Sequence, residues 1–118
     1  MLALLSPTDP HWVEIAALDL PALLSDHAHC EIKAAQSALS VVARYAGEMP
    51  GLVEPLTALA REESEHVGLV HAQLTKRSVR LGLPASDRYV TQLAGIARQT
   101  RSPDQPPLLD KLLVAALI

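Results

Sequence analysis

Aromatic residues are scarce in this sequence, at 3% of its 118 residues, although 49% are hydrophobic. The apolar content is carried mainly by Ala and Leu, which are good helix formers, while the aromatic side chains that strands favour are few. That argues against a β architecture, and the chain reads all-α. Cysteine occurs once, at Cys30, which excludes an intramolecular disulfide. No basic stretch precedes the short apolar run of residues 1–5, so nothing marks the chain for secretion, and the expected compartment is the cytoplasm. Long apolar runs are missing too. The closest, residues 112–118, is far short of the roughly 20 residues that a membrane span needs, so no membrane partner is expected.

The length suits one domain over residues 1–118, since a folded unit usually takes roughly 100 to 200 residues, but it is small for a complete four-helix enzyme. The net charge is -3 and unevenly spread. Residues 1–72 hold three basic and ten acidic side chains, whereas residues 73–101 hold six basic ones (Lys76, Arg77, Arg80, Arg88, Arg98 and Arg101) against Asp87 alone. Such a run is either a solvated helix face or a phosphate-contacting edge on an otherwise acidic protein.

Helix punctuation divides the chain. Asp9-Pro10 reads as a cap with proline in the first turn, opening a short helix to about Leu18, and Asp19 with Pro21 repeats the signal for a helix over residues 21–45. Leu24, Ala28, Glu31, Ala35, Ala38, Val42 and Tyr45 follow at steps of three and four along one face of that helix. After Met49-Pro50-Gly51 a second long helix is expected to about Leu81, stopped by Gly82 and Pro84, with Leu56, Leu59, Glu63, His66, Val70 and Leu74 on one face. Ser86 can cap a helix to about Gln99, and the prolines of residues 102–107 impose a loop before a last helical segment at Leu108.

Two apolar stripes therefore carry polar residues at their centres. Residues three apart project from one side of a helix, so Glu63 and His66 can aim a carboxylate and an imidazole at one point, while Glu62 and Glu65 point elsewhere. Glu31 lies within the other stripe, where an ionised carboxylate must be protonated, paired or bound to a cation. Carboxylate oxygens with an imidazole nitrogen suit iron or manganese, and the lack of a cysteine cluster argues against structural zinc or iron–sulfur centres. Glu-x-x-His alone is a weak motif. Its weight comes from its position on the stripe and from the glutamate one helix earlier. Ferritin-like di-metal bundles take a glutamate from each of two helices and Glu-x-x-His from each of two others. This chain supplies one of each, so the expected fold is a ferritin-like helical bundle, incomplete in one chain, with two long antiparallel helices and shorter ones.

Four stretches carry a family resemblance, in order and across nearly the whole chain: Asp26-His27-Ala28-His29-Cys30-Glu31-Ile32-Lys33-Ala34-Ala35, Leu59-Ala60-Arg61-Glu62-Glu63-Ser64-Glu65-His66, Ser86-Asp87-Arg88-Tyr89, and Leu109-Asp110-Lys111-Leu112-Leu113-Val114. They resemble the bacterial tRNA hydroxylases of the MiaE type. The resemblance implies a ferritin-like fold and a non-haem di-iron centre. It also implies dioxygen-dependent hydroxylation of the isopentenyl group of a 2-methylthio-isopentenyladenosine in tRNA, with electrons from an external donor. By the same resemblance Glu31 is a terminal metal ligand, Glu63 a bridging ligand and His66 a terminal ligand, and Lys76, Arg77, Arg80 and Arg88 are candidates for contacting the tRNA backbone. The family's other glutamate and its second Glu-x-x-His fall beyond Ile118, so the sequence reads as truncated and holds three of six expected ligands. Either a two-fold homodimer shares two iron ions between two copies of Glu31, Glu63 and His66, or the chain is an inactive remnant.

Other functions use the same residues. A ferritin-like iron-binding or ferroxidase dimer needs the ligands without a tRNA substrate, and a metal-free helical interaction module needs only that the three side chains pair with one another. His27, one turn before Glu31, reads either as a hydrogen-bond partner of that carboxylate or as an ordinary partly buried histidine. His11, His29 and His71 have no partner at ligand spacing and read as surface residues. Cys30 reads as a small buried hydrophobe, Trp12 as a packing anchor, and Tyr89 as either a hydrogen-bonding group near the site or a packing cap.

Overall fold

The computed structural model describes residues 7–86 and 88–115. The apolar run of residues 1–5, Asp87 and the last three residues of the closing apolar run, all used in reading the sequence, lie outside the described residues. The described residues form five α-helices and no strand: α1 (Trp12–Leu18), α2 (Leu20–Tyr45), α3 (Val53–Lys76), α4 (Arg88–Thr100) and α5 (Pro107–Ala115), with a 3-10 turn at Pro50–Leu52 before α3. None of these helices is long and apolar enough to cross a membrane.

Of the Asp9 and Asp19 signals read from the sequence, Asp19 caps its helix, whereas Asp9 and Pro10 form a turn ahead of α1, whose N-cap residue His11 makes no side-chain cap. Asp19 accepts a hydrogen bond from the Ala22 backbone N–H at 3.0 Å and starts α2, with Pro21 in its first turn. Asp9 accepts from the His11 backbone N–H at 2.9 Å, and that bond, followed by the His11 ring beside it, holds the Asp9 carboxyl below the usual range. α1 then begins at Trp12.

α2 and α3 form the body of the molecule as an antiparallel pair. Ala35 and Ala38 pack with Ala60 against Leu56, Glu31 faces Glu63 and His66, and Ser25 meets the chain beyond α3, so falling numbers on α2 meet rising ones on α3. The seam is built of small residues. Ala28, Ala35 and Ala38 from α2 and Ala60 from α3 are buried, and larger side chains enter only toward the ends, at Val41, Val70 and Leu74. Small side chains let two helix backbones approach closely, because interaxial distance follows the side chains at the contact.

Two features of α3 differ from the sequence expectation. Its buried stripe passes through Ala60, while Leu59 is exposed, because in so apolar a helix neighbouring phases look alike in sequence. The helix also ends at Lys76 instead of running to Leu81. Ser78 adopts a left-handed conformation at φ 57°, the Val79 N–H reaches back to the Leu74 carbonyl at 3.0 Å, and the Ser78 N–H bonds the Thr75 carbonyl at 2.9 Å. This is a Schellman stop, normally announced by glycine, and a serine gave no such signal. The following loop turns back across α2. There the Gly82 N–H donates to Ser25 Oγ at 3.1 Å, and His29 Nε2 lies 2.8 Å from the Gly82 carbonyl. A Cβ at Gly82 would sit 3.3 Å from Ser25 Oγ, so a larger residue there would press on that side chain. His29 is thus not a loose surface residue but a pin that fastens the loop.

Three other readings are corrected. Trp12 and Val13 are about half exposed and Ile15 about two-thirds, so the tryptophan does not anchor α1 in a core. Cys30 is exposed, since it sits about a quarter turn from Glu31 and away from α3. Arg101 is not part of a free basic edge: its Nε donates to the buried carboxylate of Asp110, which Gln105 Nε2 also reaches, and the three residues tie α4 to α5.

A left-handed conformation costs a residue with a Cβ roughly 1 to 2 kcal/mol, and a β-branched side chain makes it worse. Ser78→Val is therefore expected to lower unfolding free energy by about 1 kcal/mol, whereas Ser78→Gly leaves it equal or higher. Urea unfolding followed by circular dichroism reads both.

Candidate metal centre

The centre lies where the alanine seam is interrupted. Glu31 occupies the position on α2 between Ala28 and Ala35, and Glu63 and His66 follow Ala60 on α3. Because flanking alanines hold the two backbones close, carboxylates from opposite helices reach each other across the gap. Donor atoms of Glu31, Glu63 and His66 all fall within 4.8 Å of one another. His66 presents Nδ1 to both carboxylates, 3.1 Å from Glu63 Oε2 and 3.8 Å from Glu31 Oε1. The Glu31 and Glu63 side chains are only 15% and 17% exposed, while His66 is 42% exposed and forms the open side of the cluster.

Electrostatics make this arrangement uncomfortable without a cation. A hydrogen bond with Glu63, then burial, then the charge on Glu63 hold the Glu31 carboxyl above the usual carboxylate range. The same bond, received from Glu31, outweighs burial and with His66 holds Glu63 below it. The pair is thus split in acidity, as closely spaced carboxyls are. A divalent cation can neutralise both groups. Two carboxylate oxygens and an imidazole nitrogen on rigid helices form a donor set that fits iron or manganese. His27 stands beside the set, its Nε2 3.3 Å from Glu31 Oε1 along α2.

The basic residues named from the sequence are elsewhere. Lys76, Arg77, Arg80 and Arg88 are all exposed at the end of α3, in the following loop and at the start of α4. Arg77 folds back onto Gln73, with Nη1 2.8 Å from its carbonyl oxygen and 2.9 Å from Oε1. Arg80 lines a cavity of about 350 Å³ with Ala22, Ser25, Asp26 and Leu83. At about 100° per residue, His29, which pins that loop, lies roughly 160° around α2 from Glu31, so this cavity is not the mouth of the centre. Tyr89 is well exposed on α4. Sequence reasoning missed the Ser25–Gly82–His29 pin and the Arg101–Asp110 pair. The lone acidic residue among the apolar positions of residues 108–114, Asp110, was the available sign of the latter.

An all-helical body built on one long antiparallel pair, with carboxylates and a histidine meeting between its helices, defines the ferritin-like class of bundle. Comparison with known proteins narrows this. The family model described as tRNA-(MS[2]IO[6]A)-hydroxylase (MiaE) matches residues 1–118, and the chain belongs to that family. It is 38% identical over 112 residues to a tRNA 2-(methylsulfanyl)-N(6)-isopentenyladenosine(37) hydroxylase of Pseudomonas putida, covering 95% of this chain and 53% of the relative. It is 34% identical over 84 residues to the Salmonella typhimurium protein of the same description, covering 62% of this chain and 31% of that one. Among solved structures it resembles Protein 43 with aldehyde deformylating oxygenase activity from Synechococcus, with a TM-score of 0.83 and 42% identity, over 99% of this chain and 56% of the other. The chain thus spans about half the length, or less, of the curated relatives it matches.

Glu31→Gln keeps the shape of the cluster and a donor toward Glu63 but removes one negative charge. The metal-free variant is expected to be at least as stable as the unsubstituted chain, yet to lose stabilisation by Mn(II). At about a hundred times its Kd, Mn(II) should stabilise the unsubstituted chain by about 2.7 kcal/mol. Thermal unfolding with and without Mn(II) measures both effects.

Proposed function

We propose that this chain serves the hydroxylation of the isopentenyl group of 2-methylthio-isopentenyladenosine in tRNA, at a non-haem iron centre whose ligands here are Glu31, Glu63 and His66. The observation that carries the reading is the convergence of these three donors within 4.8 Å, in a chain of the MiaE family. When bound, iron supplies the activation of dioxygen needed to hydroxylate an unactivated carbon, with electrons from an external donor.

The chain's own residues set the conditions for that chemistry. Glu31 and Glu63 would bring negative charge to a divalent cation. His66 would bind the cation through Nδ1, the nitrogen already turned toward both carboxylates. Alanines above and below the cluster leave little room for water between α2 and α3, while the partly exposed His66 marks the side from which substrate and cation approach. Three donors are half of a two-metal set. A second copy of this chain, related by a two-fold axis, supplies the other half in the assembled site.

Substrate recognition rests on charge. Lys76, Arg77, Arg80 and Arg88 form an exposed basic group on an acidic chain, suited to tRNA phosphates at a distance from the modified base. The base leaves its stack to reach a centre between helices, as enzymes acting on bases require. A ferroxidase built on the same ligands has no use for this group, and the family match favours the tRNA reading. Arg77→Glu with Arg80→Glu is expected to weaken tRNA binding and to reduce the slope of log affinity against log salt by about one for each phosphate no longer neutralised. Filter binding at several salt concentrations measures this; unchanged affinity and slope would remove these residues from the tRNA surface.

A further inference from the structure

The loop between α3 and α4 is held more firmly than a plain connection needs. Ser78 is kept left-handed at φ 57°, and further along the Gly82 N–H is tied to Ser25 Oγ at 3.1 Å and the Gly82 carbonyl to His29 Nε2 at 2.8 Å. Backbone strain persists only where its surroundings over-determine it, and such positions cluster where ligands are gripped. What the tethered loop builds, against the first turns of α2, is a cavity of about 350 Å³. Its walls are mainly apolar, from Pro21, Ala22, Val79 and Leu83, with one carboxylate, Asp26, and one guanidinium, Arg80. Among the described residues neither charge has an ion-pair partner, although both line the same cavity. Leu83 is 93% exposed, a large apolar side chain left in water. Five residues before Glu31, Asp26 lies roughly 140° around α2 from it, so what enters the cavity is not the group that reaches the metal centre.

We propose that this cavity holds an unpaired guanine of the tRNA, distinct from the base that is modified, with Asp26 reading its edge and Arg80 its phosphate. This rests on the reading of tRNA as the substrate. The volume sits at the small end of the roughly 300 to 1,000 Å³ usual for ligand sites, which suits a single base with its sugar and not a helix or strand. Apolar side chains such as Leu83 offer the flat contact that an unstacked base takes in place of its neighbours. The charges then choose among planar ligands. A carboxylate has acceptors only, so it pairs best with an edge that carries two adjacent donors. Guanine presents N1–H and its amino group side by side. Adenine and cytosine put a ring acceptor beside the amino group, and uracil flanks its one N–H with two carbonyls, all of which a carboxylate repels. Unpaired bases of RNA loops are read in this way, on their Watson–Crick edges. Arg80 meets the phosphate and adds affinity without choosing the base. A second base held here sets the register of the RNA while another is presented at the centre.

Calorimetric titration of the full chain with guanylate, adenylate, cytidylate and uridylate, with amide NMR shifts locating the site, tests this. Guanylate is expected to bind roughly 5- to 100-fold more tightly than the other three and to move the Gly82 and Ala85 amides. Asp26→Asn, which offers one acceptor and one donor, should abolish the lead of guanylate in favour of adenylate or cytidylate. Arg80→Gln should weaken all four alike and keep their order. Both side chains are exposed, so thermal unfolding should change little in either variant. Filter binding of tRNA, run beside these titrations, should show a loss in Asp26→Asn as well. If tRNA binds the unsubstituted chain and Asp26→Asn equally and no nucleotide is preferred, the cavity is not a guanine site while the tRNA reading stands. If neither tRNA nor any nucleotide binds, both readings fail. Guanylate bound without tRNA would also overturn the inference, since the occupant would then be a free nucleotide, as would Gly82 and Ala85 shifts that follow protein concentration alone, since a second copy would then fill the cavity.

Discussion

Two carboxylates held against each other in a narrow, mostly apolar seam are the constraint on which the rest of this structure depends. Glu31 and Glu63 cannot both be ionised at short range without compensation: their mutual hydrogen bond holds Glu31 above the usual carboxylate range and Glu63 below it, with His66 alongside. A helical pair selected only for stability would place apolar side chains there. Instead the alanines at positions 28, 35, 38 and 60 bring α2 and α3 close enough for the acids to meet. Stability is thereby spent on a site. The same close approach that costs energy without a cation is what prepares the donors for one.

The remaining elements position this pair or present charge around it. The loop after α3 is fastened to α2 by Ser25 and His29 on either side of Gly82, which fixes where the basic residues beyond α3 emerge. α4 and α5 are joined through Asp110, a buried acid whose cost is met by Arg101 and Gln105. Of the basic residues between positions 73 and 101, one is thus structural, and Arg77 folds back along its own helix. Arg80, Lys76 and Arg88 keep exposed side chains.

Much of this was legible in the sequence, and the exceptions have identifiable causes. Asp19 and Pro21 marked the start of α2 because a side-chain acceptor and a fixed φ are local requirements of a helix N-terminus. Glu31, Glu63 and His66 stood out because polar residues at helical spacing inside an apolar stripe need a reason to be there. The end of α3 was hidden because Ser78 takes a backbone conformation that sequence associates with glycine. The phase of the α3 stripe was hidden because Leu59 and Ala60 are both apolar, and only the close seam selects the smaller one. Trp12 and Cys30 misled through average behaviour: tryptophan and cysteine are usually well covered, but one sits on a short peripheral helix and the other on the outer side of α2. The partnerships of His29 and Asp110 depend on loops returning to a helix, which spacing along the chain does not encode.

The central claim is that Glu31, Glu63 and His66 hold iron and that two copies of the chain complete the site. Iron content per chain, measured together with solution mass on anaerobically loaded protein, tests it most directly. The account predicts a dimer carrying about one iron per chain, with both the iron and the dimer diminished by Glu63→Ala. A monomer that retains no iron after removal of excess metal would contradict it.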